Sequence, residues 1–293
     1  MHAGEADIDD ALVRRLLAAQ LPGWSDLPIA RVESAGTDNA LYRLGDDMVV
    51  RLPRIAGATG PIEKEHRWLP RLAPLLPLPI PAPLARCAPA AGYPWPWSVY
   101  GWLDGEAATG AAIRDEREAA TELADFVGAL QRIDTAGAPT STSRGVPLAG
   151  RDAAVREAIA ALGDTIDAGA ATAAWEATLR EPAWEGAPVW IHGDLHGANL
   201  LVDDGRLSAV IDFGCLCAGD PAGDLIAAWM YFNAIGRDAF RAALEVDDST
   251  WARGRGWALS IGLIALPYYR ETNPVFAGIA DRAITEALAD RTG

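Results

Sequence analysis

Two stretches decide how this chain is read. The first is Trp190-Ile191-His192-Gly193-Asp194-Leu195-His196-Gly197-Ala198-Asn199-Leu200, and the second is Val210-Ile211-Asp212-Phe213-Gly214. Val189 to Ile191 forms a short apolar run with strand character. Residues 199–202 and 207–211 flank Asp203-Asp204-Gly205, a two-strand turn signal. Asp194 and Asn199 therefore share a tight loop after a buried strand. Asp212 ends the second arm of a hairpin, which carries it back to the same loop. Three oxygen-bearing side chains converge from a rigid scaffold. Phosphoryl transfer asks for little more. A carboxylate orients the acceptor hydroxyl and takes its proton, and oxygen ligands hold magnesium against the phosphates. Few, hard oxygen ligands suit a magnesium ion that keeps water and phosphate as its other ligands. The expectation is Asp194 as base, with Asn199 and Asp212 on Mg2+.

Outward from this point the chain divides by element type. Apolar spacing and Asp9-Asp10 at its start predict a helix over 8–21, stopped by Pro22-Gly23. Strands are expected over 29–33, 40–44 and 48–52, and a helix over 60–73 opens at Thr59 and Pro61. Residues 74–83 hold five prolines and read as extended connecting chain. Strands at 84–87 and 97–103 follow. Helices are then expected over 117–133, 151–162 and 171–179, with a small polar loop at 135–143. Beyond Asp220 the chain reads as helical, with breaks near Gly236, Asp248, Pro267 and Pro274. Strands early and helices late, interrupted by one hairpin, make an α+β chain with segregated elements. The expected division falls near 101–106, giving a β-rich lobe over 1–103 and a mostly helical lobe over 104–293.

Composition narrows the partners. The 293 residues carry a formal charge of −15, which argues against nucleic acid or an anionic membrane as partner. No apolar run reaches the ~20 residues of a bilayer span. Met1 to Asp10 is acidic and lacks an apolar stretch, so a cytoplasmic protein without a signal peptide is expected. Cys87, Cys215 and Cys217 are too few for a disulfide framework, and Cys215-x-Cys217 is too close for a normal bridge. The chain has 24 arginines and one lysine, Lys64.

The run His192-Gly193-Asp194 through Asn199, followed by Asp212-Phe213-Gly214, resembles the protein-kinase signature, with Gly193 where that signature has arginine. More closely it is similar to the aminoglycoside phosphotransferase family and its choline-kinase-like relatives. The resemblance implies the two-lobed protein-kinase-like fold, with a nucleotide-binding N-lobe and a C-lobe for catalysis and acceptor binding. It implies ATP or GTP as co-substrate. Gly36-Thr37-Asp38-Asn39-Ala40-Leu41-Tyr42-Arg43 looks like the family's short nucleotide loop. Arg51, in Met48 to Arg54, stands where such kinases place a phosphate-binding lysine. Lys64 lies on the following helix, so the strand cation is arginine, which keeps the charge but changes the geometry. Glu65 is the expected partner of Arg51, and Glu63 is its rival. Tyr100, Gly101, Trp102 and Leu103 fall where the family's inter-lobe segment presents its backbone to the nucleotide base. Asp220 and Asp224 resemble residues that brace the catalytic loop. His192 is read as ordering the loop and His196 as supporting it from behind or facing solvent; His192-x-x-x-His196 lacks a third ligand for zinc.

The expected acceptor is a small hydroxyl-bearing molecule, with an aminoglycoside-type antibiotic as the leading reading. A metabolic kinase acting on an amine, sugar or amino alcohol is the alternative. A catalytically silent nucleotide-binding regulator is a third reading, prompted by Arg51. The absence of a long segment between Gly214 and the next helix argues against a protein substrate. The acidic charge points to a cationic acceptor. Asp220, Asp248 and Glu271 are the carboxylates expected at its mouth, and Trp251, Trp257, Tyr268 and Tyr269 the rings expected to pack on it.

Overall fold

A computed structural model describes residues 5–34 and 36–290. The N-terminal reading of Met1 to Asp10 therefore lies partly outside the described residues. The chain falls into two units, Met1–Pro74 with Pro79–Asp104, and Leu75–Leu78 with Gly105–Gly293. Among the described residues no helix is long and apolar enough to cross a membrane.

The first unit opens with α1 (Asp10–Gln20), where the Asp9 carboxylate accepts from the Leu12 N–H at 2.7 Å. That bond satisfies one of the donors a helix start leaves open. β1 (Ile29–Val32), β2 (Asn39–Leu44) and β3 (Met48–Pro53) follow, then α2 (Gly60–Leu72), β4 (Pro83–Cys87) and β5 (Trp97–Gly101). All five strands form one antiparallel sheet in the order β1-β2-β3-β5-β4. Period-two alternation places Tyr42, Leu44, Val50 and Leu52 in a core shared with Leu12, Leu16, Leu17, Trp97 and Val99. Each such side chain contributes about 1.5–3 kcal/mol on burial. The same alternation turns Arg51 to the other face, and the register sets it opposite Leu41 and Ser98.

The second unit begins with β6 (Glu106–Ala107), which pairs with β8 (Leu200–Asp203), itself paired with β9 (Arg206–Val210). Between them in sequence lie α3 (Glu116–Gln131), α4 (Asp152–Leu162), α5 (Ala168–Arg180) and β7 (Val189–Ile191). β10 (Cys217–Gly219) runs antiparallel to β7. The chain closes with α6 (Ala227–Met230), α7 (Ala234–Leu244), α8 (Asp248–Tyr269) and α9 (Pro274–Ala289). α8 runs through Pro267, where a break was expected; the proline sits in the last turn and disturbs only local bonding. Near Gly236 the interruption precedes the glycine, because Asn233 caps α7 through the Gly236 N–H at 3.0 Å. Trp190, Trp229, Trp251, Trp257, Phe213 and Phe232 are fully buried in this unit.

Candidate active site

The predicted loop follows β7. Gly193 has φ +80, a left-handed conformation that glycine adopts without strain. A Cβ there would stand 3.1 Å from the Cys215 carbonyl oxygen and 3.3 Å from the Arg144 Cγ. The Asp224 carboxylate beneath the loop is fully buried and accepts from the His192 N–H at 2.8 Å and the Gly193 N–H at 2.6 Å. Burial pushes the Asp224 carboxyl up to about 7, against the pull of those two donors. The His192 ring is fully buried. Its Nδ1 accepts from the Asp194 N–H at 3.2 Å and its Nε2 lies 3.0 Å from the Ile211 carbonyl. This pattern needs the neutral ring with its proton on Nε2, and burial lowers the imidazole pKa accordingly.

The Asp194 side chain is about one quarter exposed, at 26 %. Arg144 Nη2 lies 3.3 Å from Oδ1, and His196 Nε2 lies 3.4 Å from Oδ2. Asn199 Nδ2 donates to the Asp194 carbonyl at 2.9 Å and to Oδ2 at 3.3 Å. Burial would raise the Asp194 pKa, but His196 and the Arg144 guanidinium outweigh it and hold the carboxyl well below its usual range. Asp194 is ionised throughout the physiological range.

Asp212 is exposed and adopts φ 60, ψ 74, with its carboxylate accepting from the Gly214 N–H at 3.2 Å. The hairpin returns it as the sequence implies. Leu200 faces Val210, and the Ile211 N–H donates to the Asn199 carbonyl at 2.9 Å. Asp194, Asn199 and Asp212 thus share one loop system. The donor set fits magnesium. The Asn199 amide nitrogen is occupied by Asp194, which leaves its oxygen as an acceptor, and Asp212 supplies a charged oxygen. Among the described residues no group of three or more His, Cys, Asp or Glu side chains gathers as a metal cluster. Two protein oxygens match an ion that relies on water and phosphate for its remaining ligands.

Asp220 is not at an open mouth. It is 7 % exposed and held by Arg253, with Nε–Oδ2 at 2.8 Å and Nη2–Oδ1 at 3.2 Å. It also accepts from the Ala222 N–H at 3.0 Å. Asp248 pairs with Arg241. Trp251 and Trp257, expected as acceptor-facing rings, are 2 % and 0 % exposed. Trp251 packs on Trp229 at 4.6 Å between ring centroids, so both tryptophans belong to the core. Tyr268 and Tyr269 do border a cavity of about 330 Å³, beside Arg144, Arg151, Ile261 and Ile264. The exposed Glu271 is not among the residues lining it. The carboxylates that motivated a cationic acceptor are thus engaged elsewhere or lie off this cavity, and two arginines border it. Arg144 had no signal in the sequence. It is one of 24 arginines and follows the polar stretch read as a plain loop.

In the first unit, Arg51 Nη1 lies 2.9 Å from Glu65 Oε1, and Glu65 is 1 % exposed whereas Glu63 is exposed. With the Asn39 amide in the orientation that satisfies both groups, its oxygen accepts from Arg51 Nε at 3.2 Å and Nη2 at 3.3 Å. The Tyr100 hydroxyl donates to Glu65 Oε2; burial, and then the Glu65 charge, raise the Tyr100 pKa. Thr37 hydrogen-bonds Asp38 at 3.2 Å, and the Asp38 carbonyl accepts from the Arg54 N–H at 2.7 Å. The N–H groups of Gly101 and Trp102, expected to face a base, are taken by the Ala82 and Asp47 carbonyls, each at 2.8 Å. Trp102 lies under Arg43, at 3.9 Å from guanidinium carbon to ring centroid. The Leu103 N–H has no partner among the described residues.

A fixed, ionised carboxylate, hard oxygen donors on one hairpin and an Arg–Glu pair with its glutamate buried on the sheet side match the pattern of kinase-type phosphotransferases. A family model described as the phosphotransferase enzyme family matches residues 30–257. The chain belongs to that family, and it is a phosphotransferase with an alcohol group as acceptor. No curated protein matches it. Among solved structures it resembles a GDP and kanamycin complex of the phosphotransferase APH(2")-IIIa, with 19% identity, TM-score 0.74, and 95% of this chain and 99% of that one covered. It also resembles the macrolide 2'-phosphotransferase of Brachybacterium faecium, with 26% identity, TM-score 0.63, and 93% and 98% covered. A third likeness is to a streptomycin-ATP-APH(2")-IIa ternary complex, with 17% identity, TM-score 0.60, and 88% and 91% covered. The fold is the two-lobed kinase-like α+β fold of these enzymes.

Proposed function

We propose that the protein transfers the γ-phosphoryl group of ATP or GTP to a hydroxyl of a small, ring-bearing molecule. The observation that carries this reading is the Asp194 carboxylate, held ionised and fixed by Arg144, His196 and Asn199. The acceptor oxygen bonds to the γ-phosphorus as the bond to the β,γ-bridging oxygen breaks. The nucleoside diphosphate leaves, and the hydroxyl proton passes to Asp194. Bound through Asn199 and Asp212, Mg2+ would neutralise charge on the phosphates. Arg51, oriented by Glu65 and Asn39, serves the phosphates of the nucleotide, and the Leu103 N–H is the donor left for its base.

Kanamycin, streptomycin and the macrolide activity of the similar structures keep an antibiotic acceptor in view. The two arginines on the cavity favour the alternative, a metabolic small molecule, over a polycation. A silent regulator is disfavoured because Asp194, Asn199 and Asp212 are all present, with the Asn199 amide bonded to Asp194 and its carbonyl to the Ile211 N–H next to Asp212. The test is nucleoside diphosphate release with MgATP and MgGTP over a panel of hydroxyl compounds. Asp194→Asn should lower kcat at least ~10²-fold while nucleotide binding persists. The parent's kcat/KM should show no acid-side inflection from Asp194 between about pH 5 and 8, since its pKa lies below that window. Near-native turnover by Asp194→Asn refutes the assignment.

A further inference from the structure

The cavity beside Tyr268 and Tyr269 has an electrostatic feature the reaction itself does not explain. Arg151 is partly buried at its wall. Its Nε donates to the Ser260 Oγ at 2.9 Å, its Nη1 reaches the Ser143 carbonyl at 3.4 Å, and its guanidinium carbon lies 5.1 Å from the Trp257 ring centroid. All these partners are neutral, and among the described residues no carboxylate pairs with Arg151. The charge that acts on it is that of another cation, Arg144, whose own counter-ion is Asp194. Burial and the Arg144 charge together lower the Arg151 pKa to about 10. A guanidinium partly withdrawn from water with no anion beside it carries a desolvation cost that a bound anion would offset.

The unpartnered His196 Nδ1 and Tyr231 hydroxyl are single buried atoms, and nothing shows a space for a ligand beside them. The Arg144–Arg151 wall, by contrast, borders an open cavity and touches the base. Arg144 Nε donates to the Gly193 carbonyl at 2.7 Å and Nη2 meets Asp194 at 3.3 Å. Ile261 and Ile264 give the same cavity an apolar side, and the two tyrosines supply ring faces. A volume of about 330 Å³ falls at the small end of ligand pockets.

We propose that the acceptor is an anion, a small ring-bearing hydroxy acid whose carboxylate pairs with Arg151 while its hydroxyl is presented to Asp194. This rests on the phosphotransferase reading above and names the acceptor class for the same site. The guanidinium fork suits a carboxylate in two-point contact. The carboxylate supplies the counter-ion that Arg151 lacks.

The test uses three matched probes: p-hydroxymethylbenzoate, p-hydroxymethylbenzamide and p-aminomethylbenzyl alcohol. Binding to the full chain is followed by ligand-detected NMR, and turnover separately by nucleoside diphosphate release. The benzoate should bind about 10- to 100-fold better than the amide, as expected for a charge-assisted contact, and the ammonium probe should bind worst. Arg151→Gln should abolish that preference and leave the KM for nucleotide unchanged. Arg151→Lys should keep part of it, which guards against misfolding as the cause of loss. Equal binding of the three probes, preference for the ammonium probe, or a preference that survives Arg151→Gln overturns the proposal. So does a rise in nucleotide KM in place of lost discrimination, which would assign Arg151 to the nucleotide. Arg151-dependent binding without turnover of any probe would uphold the anion site while counting against the transfer reading.

Discussion

Replacing Asp224 by alanine asks whether one buried carboxylate preforms the loop that carries Asp194. Asp224 is fully buried, and its two oxygens hold the N–H groups of His192 and Gly193 at 2.8 and 2.6 Å. Without it both donors are left where water does not reach. Each unsatisfied buried donor costs about 1–3 kcal/mol, so the variant should lose about 2–6 kcal/mol at pH near 8. That is a large share of a typical stability of about 5–15 kcal/mol. A second signature lies in the pH dependence. Burial pushes Asp224 up to about 7 in the fold, whereas an unfolded aspartate titrates near 4. The fold therefore keeps a proton that the unfolded chain releases. This contribution to stability is complete below about pH 4 and is lost as pH rises through about 7. Alanine lacks it, so the deficit should be larger at pH 5.5 than at pH 8 by about 2 kcal/mol, from about 1.5 pH units at 1.36 kcal/mol each. Urea unfolding at the two pH values measures this, with kcat recorded where the variant is still folded. The midpoint should fall with little change in slope. The turnover should drop about 10-fold or more, because Asp194, proposed as the base, loses its fixed position. A loss under about 1 kcal/mol with full kcat and no difference between the two pH values would refute the reasoning.

Arg51→Ala should raise the KM for nucleotide and lower kcat. Arg51→Lys should retain measurable activity, because charge persists where the fork between Glu65 and Asn39 is lost; steady-state kinetics with varied nucleotide decide, and a parent-like Arg51→Ala excludes the phosphate role. Asp220→Ala should destabilise by about 3–5 kcal/mol by leaving Arg253 buried without its partner, and adding Arg253→Met should restore most of the loss. Chemical unfolding of the single and double variants measures the coupling, and a change in acceptor KM without a stability loss would return Asp220 to the acceptor site.

What was legible in the sequence was whatever local pattern controls. The alternation of β2 and β3 fixes which way Arg51 faces, and the turn Asp203-Asp204-Gly205 fixes the hairpin that returns Asp212 to Asn199. β6 and β10 were not legible. They are two and three residues long and exist only through pairing with β8 and β7, each far away in sequence. The acceptor side failed for a related reason. Trp251 and Trp257 lie on α8, which is buried on most sides, so their spacing could not tell core from pocket. Asp220 reads as an exposed carboxylate until Arg253, a full helix away in sequence, is found beside it.

Arg144 connects these observations. The kinase signature places arginine directly before the base, and this chain has glycine there. Gly193 adopts φ +80, and Arg144 Cγ lies 3.3 Å from where its Cβ would be. The guanidinium then bonds the Gly193 carbonyl at 2.7 Å and reaches Asp194 at 3.3 Å. The cation beside Asp194 is thus supplied by a remote segment, into space that glycine leaves open. That segment also forms part of the cavity wall, so one side chain takes part in both the electrostatics of Asp194 and the lining of the cavity. With Arg144 neutralised by Asp194, the positive charge that faces an incoming acceptor is that of Arg151. On the proposed reading of the cavity, the sign of the whole chain, −15, does not set the sign of the acceptor; Arg151 does, because charge at contact in a partly dry cavity outweighs charge screened beyond about 10 Å.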